Sequence, residues 1–189
     1  MDADNRSAER NTNLWAPWRM EYIDSLGGQE EGCFLCRYRE APVDQDPHNL
    51  VLTRLERSLV VLNRFPYTGG HAMVAPLDHV GQLGELETAT LVEMMQAVRD
   101  LQAVMDRALK AHGYNIGLNV GRCAGAGLPG HLHIHVVPRW AGDTNFMAVL
   151  GQVRVIPQSI QETFAAMRRA ADDLGLLLAR TGGQAGPRP

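Results

Sequence analysis

The sequence predicts an α+β protein with an antiparallel sheet and two helices set apart from the strands. Three observations carry this. Short β-branched runs are joined by hairpin-length turns, one long stretch repeats its apolar residues at helical spacing, and one heptapeptide alternates imidazoles with apolar side chains. That heptapeptide is His131-Leu132-His133-Ile134-His135-Val136-Val137. On a strand, side chains alternate faces, so His131, His133 and His135 are predicted to point one way and Leu132, Ile134 and Val136 into a core.

Taken in order, residues 1–13 are polar and read as a disordered tail, followed by Leu14-Trp15-Ala16-Pro17-Trp18-Arg19, an aromatic arm expected to dock on its own domain or on a second subunit. Glu30 to Pro47 is loop-like and contains Cys33-Phe34-Leu35-Cys36. Leu50 to Thr53 and Leu59 to Asn63 read as strands about the charged turn Arg54 to Ser58. Phe65 to Gly70 is a turn, and His71 to Ala75 is a strand ended by Pro76. Leu86, Met94, Val98, Leu101, Met105 and Leu109 predict a helix from about Glu85 to Ala111, with Gly113 as its stop. Their stripe reads as core. Tyr114 to Val120 and His131 to Val137 are strands, Gln158 to Leu178 is a second helix, and the Gly/Pro-rich residues 181–189 form a tail. One domain, 14–180, lies between the tails.

Composition narrows the class. The chain has 189 residues, 45% of them hydrophobic, and a net charge of −3, so no basic field points to nucleic acid or acidic membranes. No apolar run reaches the roughly 20 residues of a membrane span. Three cysteines make no disulfide framework, and a reducing cytoplasm is the expected home.

The connector Gly121–Gly130 feeds the histidine strand. Its glycines let backbone N–H groups surround an anion. Gly125 to Gly130 match G-x-G-x-x-G, yet a strand pattern follows where a dinucleotide fingerprint needs a helix, so a Rossmann reading fails. Cys123 reads as a small packing residue.

Three imidazoles on one face allow two chemistries. The outer pair lie about 13 Å apart along a strand, too far for one ion to take all three, though two neighbours can share a metal. Alternatively, a neutral imidazole attacks phosphorus and a second acceptor cleaves the phosphoramidate. The middle position suits His133 as nucleophile, with His131 or His135 as donors. Simple binding, as in a nucleotide sensor or scaffold, stays open, as does a metallohydrolase with triad ligands.

The heptapeptide resembles the histidine triad motif of the HIT superfamily. The likeness runs from about Leu14 to Arg180 through Trp15–Met20, Cys33–Cys36, Leu62-Asn63-Arg64, Gly70-His71, Pro76–His79, Asn119, Pro138-Arg139-Trp140 and Asn145-Phe146. The tryptophan arm and Gly-Ala-Gly loop are similar to the bacterial diadenosine-tetraphosphate phosphorylase group, near the fragile-histidine-triad branch. The resemblance implies a five-stranded antiparallel sheet, two main helices and pairing into a homodimer. It implies attack on the α-phosphate of an adenine nucleotide conjugate, with His133 as nucleophile, His135 at the phosphate and bridging oxygen, and His131 as first triad member. It places Asn63 near the ribose, Phe34, Leu62 and His71 near the nucleoside, and Asn119, Gly125, Ala126 and Gly127 at the phosphate. For Leu62, core packing is an equal expectation. Gly127 stands where relatives carry glutamine or serine, which leaves the acceptor, water or inorganic phosphate, open. An adenosine phosphoramidate hydrolase is the neighbouring alternative. The third histidine argues against hexose-phosphate uridylyl transfer. Cys33-x-x-Cys36 has the spacing of one arm of a structural zinc site, which alone decides nothing; the resemblance implies the ligand set Cys33, Cys36, His79 and His131.

Overall fold

The computed structural model describes residues 32–143 and 158–176. The expected tails, the tryptophan arm, Asn145-Phe146 and the last residues of the second helix lie outside them. Helix α1 (Phe34–Glu40), a 3-10 turn (Val43–Gln45) and helix α2 (Asp46–Asn49) precede strands β1 (Val51–Arg54), β2 (Ser58–Leu62) and β3 (Ala72–Pro76). The long helix α3 (Thr88–Leu109), strands β4 (Gly113–Leu118) and β5 (Ile134–Arg139), and helix α4 (Ile160–Leu174) follow. The five strands form one sheet, order β1-β2-β3-β5-β4, with every pairing antiparallel.

Strand alternation splits the sheet into two faces. Val60, Leu62, Ala72, Val74, Ile134 and Val136 pack with Met94, Val98, Leu101 and Met105 of α3 and Met167 of α4. The Met and Leu stripe is therefore core, as its spacing predicts. Leu59, Val61, Met73 and Ala75 face the other way and pack with Leu35 and Phe34 of α1. Among the described residues no helix is long and apolar enough to cross a membrane.

Several boundaries differ from expectation. Of the segment expected as loop, the described residues 33–47 are largely helical, because Leu35 is buried against the sheet (1% exposed) and tertiary packing holds a helix too short to show periodicity. Arg54 stabilises its end: the guanidinium donates to the carbonyls of Tyr38, Arg39 and Ala41 and pairs with Asp46 at 2.5 Å. Glu85 closes a 3-10 turn, Leu83–Glu85, ahead of the helix proper. Lys110, at φ 51°, ends α3 in the left-handed conformation, and Gly113 is instead the first residue of β4. Strand β5 begins only at Ile134, so His131 and His133 stand in the extended lead-in to it.

Candidate active site and adjoining metal-ligand cluster

His135 lies on the sheet face opposite the long helices. Register places Val61 opposite Met73, Met73 opposite His135 and His135 opposite Gly117, one row across four strands. A Cβ on Gly117 would meet nothing within 4 Å, so the row ends in open space beside His135. The His133 and His135 rings stand edge to face with centroids 4.7 Å apart.

Backbone groups fix which nitrogen of each ring carries the proton, because a carbonyl only accepts and an amide N–H only donates. His131 Nε2–H donates to Pro76 O (2.9 Å), which leaves the Nδ1 lone pair toward the cysteines. His133 Nδ1–H donates to His131 O (2.9 Å), which leaves its lone pair on Nε2. His71 Nδ1 accepts from the N–H of Tyr67 (3.2 Å), so its proton sits on Nε2 and is donated to His135 Nδ1 (3.0 Å). His135 then presents Nε2–H toward Asn119, whose amide lies 3.5 Å away. The Asn119 atom nearest this nitrogen is Nδ2.

Burial favours the neutral form of His71, His131 and His133. It is the main cause that lowers the pKa of His71, to about 3, with His135 and His133 adding to it. Burial likewise lowers His131 and His133, while their bonds to Pro76 O and His131 O act the other way.

The remaining expected contacts divide. Phe34 is half-buried on the His135 side of the sheet, edge to face with Tyr38 at 5.5 Å. Leu62 (3% exposed) belongs to the helix-side core, and Val61, one residue earlier, takes the site-face position. His71 (1% exposed) sits behind His135 and, with Leu62 and Asn63, borders a small cavity beside the start of α4. Asn63 Oδ1 accepts from Phe65 N–H (2.9 Å), which turns Nδ2 to His71 Nδ1 (3.2 Å). In the connector, Gly125 N–H and Ala126 N–H donate to Arg122 O and Gly121 O, and Gly127 is exposed. Sequence inspection did not single out Val61, Met73 and Gly117, which share the row of His135 only through cross-strand register. The Tyr67 amide carries no residue-type signature.

Beside the triad, one atom each of Cys33, Cys36, His79 and His131 lie within 4.8 Å of one another. His131 Nδ1 is 3.1 Å from Cys33 Sγ and 3.6 Å from Cys36 Sγ, and His79 Nδ1 is 3.3 Å from Cys36 Sγ. Tetrahedral zinc, with bonds of about 2.0–2.3 Å, needs ligand atoms about 3.3–3.8 Å apart, so the four residues fit it. The Pro76 carbonyl on His131 Nε2 is the outer contact that such a ligand uses. Burial and the neighbouring Cys33 push the Cys36 thiol pKa up, a shift that a bound cation would reverse. Close backbone approach brings His79 in: a Cβ on Gly81 would stand 2.9 Å from Pro129 O, and one on Gly130 3.2 Å from His79 Nε2.

The HIT domain family matches residues 45–142. The chain is 37% identical over 154 residues to the AP-4-A phosphorylase of Mycobacterium tuberculosis, covering 79% of each. It is 33% identical over 93 residues to the asymmetrical bis(5'-nucleosyl)-tetraphosphatase of Schizosaccharomyces pombe, covering 49% of this chain and 50% of that one. Its fold is similar to a Zn-bound histidine triad family protein from Mycobacterium smegmatis, with TM-score 0.62, 28% identity, and coverage of 76% of this chain and 96% of that one.

The depressed pKa of His71 makes stability pH-dependent. The unfolded ring takes a proton near pH 6.5 and the folded ring only near 3, so its contribution is complete above about 6.5 and is lost as pH falls. Urea midpoints are expected to fall between pH 7.5 and 5.5. His71→Gln should flatten the slope by up to about 1.4 kcal/mol per pH unit. Parallel slopes for the two proteins would contradict this.

Proposed function

The chain belongs to the HIT domain family, and on that premise we propose that it is a nucleotidyl hydrolase or transferase acting at the α-phosphate of adenine nucleotide conjugates, diadenosine polyphosphates among them. The observation that carries the reading is the bond from His133 Nδ1–H to His131 O, which commits the Nε2 lone pair to attack. Nε2 forms a bond to the α-phosphorus, and the bond from phosphorus to the bridging oxygen breaks with its electrons leaving on that oxygen. His135 Nε2–H, directed by His71, donates a hydrogen bond to the departing oxygen. An acceptor oxygen then bonds to phosphorus as the P–N electrons return to Nε2. With inorganic phosphate as acceptor, diadenosine tetraphosphate gives ADP and ATP; with water, AMP and ATP. The name of the M. tuberculosis relative favours phosphate. Phe34, Val61 and Met73 offer the apolar surface for the nucleoside, with Asn119 and the connector at the phosphates.

Cys33, Cys36, His79 and His131 would hold a structural zinc ion, supported by their spacing and by the Zn-bound relative. Four protein ligands leave it no open position, and its contribution is to tether α1 to the segment before β5.

A second copy of the chain is the proposed partner. The outer edge of β4 exposes Ile116 (43%) and Leu118 (36%). Val92 (50%) and Met95 (56%) are exposed on α3, whose Gln102 and Asp106, about two and three turns along from Met95, take the Tyr114 hydroxyl of β4. An apolar sheet edge continuous with an apolar helix flank is self-complementary about a two-fold axis.

Three outcomes are expected. Quenching the protein in denaturant after mixing with radiolabelled diadenosine tetraphosphate should leave a nucleotide on the wild type and none on His133→Asn, whose turnover should fall at least about 1,000-fold; an active variant would refute the nucleophile. Protein purified without added zinc should carry close to one equivalent, lost with Cys36→Ser along with several kcal/mol of stability, of order 3; metal-free, equally stable wild type would remove the site. Sedimentation should give twice the chain mass, halved by Met95→Glu with Ile116→Glu; a monomeric wild type would overturn the pairing.

A further inference from the structure

We infer that Cys33 and Cys36 form a redox modification site: a peroxide closes them into a disulfide, which strips His131 Nδ1 of its partners and loosens the segment that carries His133. The disulfide and its effect on stability stand apart from the proposed activity; the effect on turnover rests on the nucleotidyl-transfer reading.

The two thiols are placed to meet. Cys33 immediately precedes α1 and Cys36 lies in its first turn, both half-buried and both free, with sulfurs within 4.8 Å of each other. Residues three apart on a helix hold their Cβ atoms about 5–6 Å apart, and a disulfide draws them to about 3.5–4.5 Å. Cys33 can cover that difference. Its backbone is extended (φ −83°, ψ 120°), and the exposed Gly32 before it has open space where a Cβ would stand. The far end of α1 stays held by Arg54 meanwhile. The third thiol, Cys123, is exposed in the connector and lies outside the cluster.

One thiol attacks hydrogen peroxide, giving a sulfenic acid and a water; the second thiol displaces a second water and the S–S bond forms. The sulfurs lose two electrons and the O–O bond is reduced by them. The product offers no thiolate, so the same oxidation empties the cluster of any ion.

The new bond changes what faces His131. With Nε2–H given to Pro76 O, its Nδ1 is an acceptor, and the hydrogen-bonding neighbours there are the sulfurs of Cys33 (3.1 Å) and Cys36 (3.6 Å). A thiol donates S–H to that lone pair and a zinc ion takes it directly; a disulfide does neither. Moving the ring proton to Nδ1 would forfeit the bond to Pro76 O. His79 loses its sulfur partner too, but it is exposed and turns to water. His131, 1% exposed, has no such exit. Its lone pair becomes a buried acceptor without a donor, in the extended segment leading to β5 and containing His133.

The test titrates the full chain with hydrogen peroxide, both as purified and after treatment with a chelator. Trypsin cuts after Arg19, Arg37 and Arg122, so Cys33 and Cys36 share one peptide and Cys123 falls on another. The shared peptide should lose two hydrogens and regain them with dithiothreitol. Oxidation should lower the folded-to-unfolded ratio in urea by about 10-fold or more. It should also release any bound zinc to a chromogenic chelator in step with the disulfide, and cut kcat on diadenosine tetraphosphate by about 10-fold or more. Dithiothreitol should restore stability and, with zinc resupplied, turnover. Cys123→Ser should respond to peroxide as the wild type does, relative to its own reduced form. A shared peptide that keeps its hydrogens in both preparations, or a disulfide that leaves the urea ratio unchanged, would overturn the inference. If the reduced protein turns over no nucleotide, the functional reading falls, and the peptide mass and urea ratio decide this one.

Discussion

His131 is the constraint on which the site depends, because three of its groups are tied in three directions. Its Nδ1 faces Cys33 and Cys36, its Nε2–H is held by the Pro76 carbonyl at the end of β3, and its own carbonyl takes the proton of His133. At 1% exposure the ring cannot rotate without breaking the first two. The two triad rings given roles in the proposed chemistry, His133 and His135, follow within four residues of it. The His133 ring is oriented by a carbonyl two residues back, and His135 enters the sheet opposite Met73.

Burial lowers the pKa of His71 and of His133, and main-chain groups orient both rings. His71 and His133 are polarised by a main-chain amide and a main-chain carbonyl, and no carboxylate contributes to the depressed pKa of either ring. Main-chain dipoles held by a sheet do not reorient during a reaction, which is the property that electrostatic stabilisation of a transition state requires. The arrangement also explains why two rings on one strand behave differently. His133 takes its proton on Nδ1 from the demand of a carbonyl, and His135 is denied one there by His71.

The sheet, its two long helices and the importance of the histidine heptapeptide were legible in the sequence because each rests on periodicity. Ile134 and Val136 fall on the core face as alternation requires, and Met94, Val98, Leu101 and Met105 fill the helix side. What escaped depends on pairs of residues far apart in the chain. Helix α1 exists because Leu35 meets Leu59, Val61 and Met73, and nothing within residues 30–47 announces that. Leu62 and Val61 are both apolar and β-compatible, so their composition does not say which one faces the site; strand register does, and register follows from the pairing with Met73 and His135. The placement of Asn63 and His71 behind His135 turns on a hydrogen-bond direction set by the Tyr67 main chain, to which side-chain identity is indifferent.

Arg54 secures α1 from the far end of the sheet, holding three of its trailing carbonyls together with Asp46. The helix that presents Cys36 is thus anchored by protein contacts that owe nothing to an ion. Capture of a metal by such a ready-made arm would carry little ordering entropy, where a floppy chelating loop would lose affinity. The same anchorage would separate loss of an ion from loss of the helix.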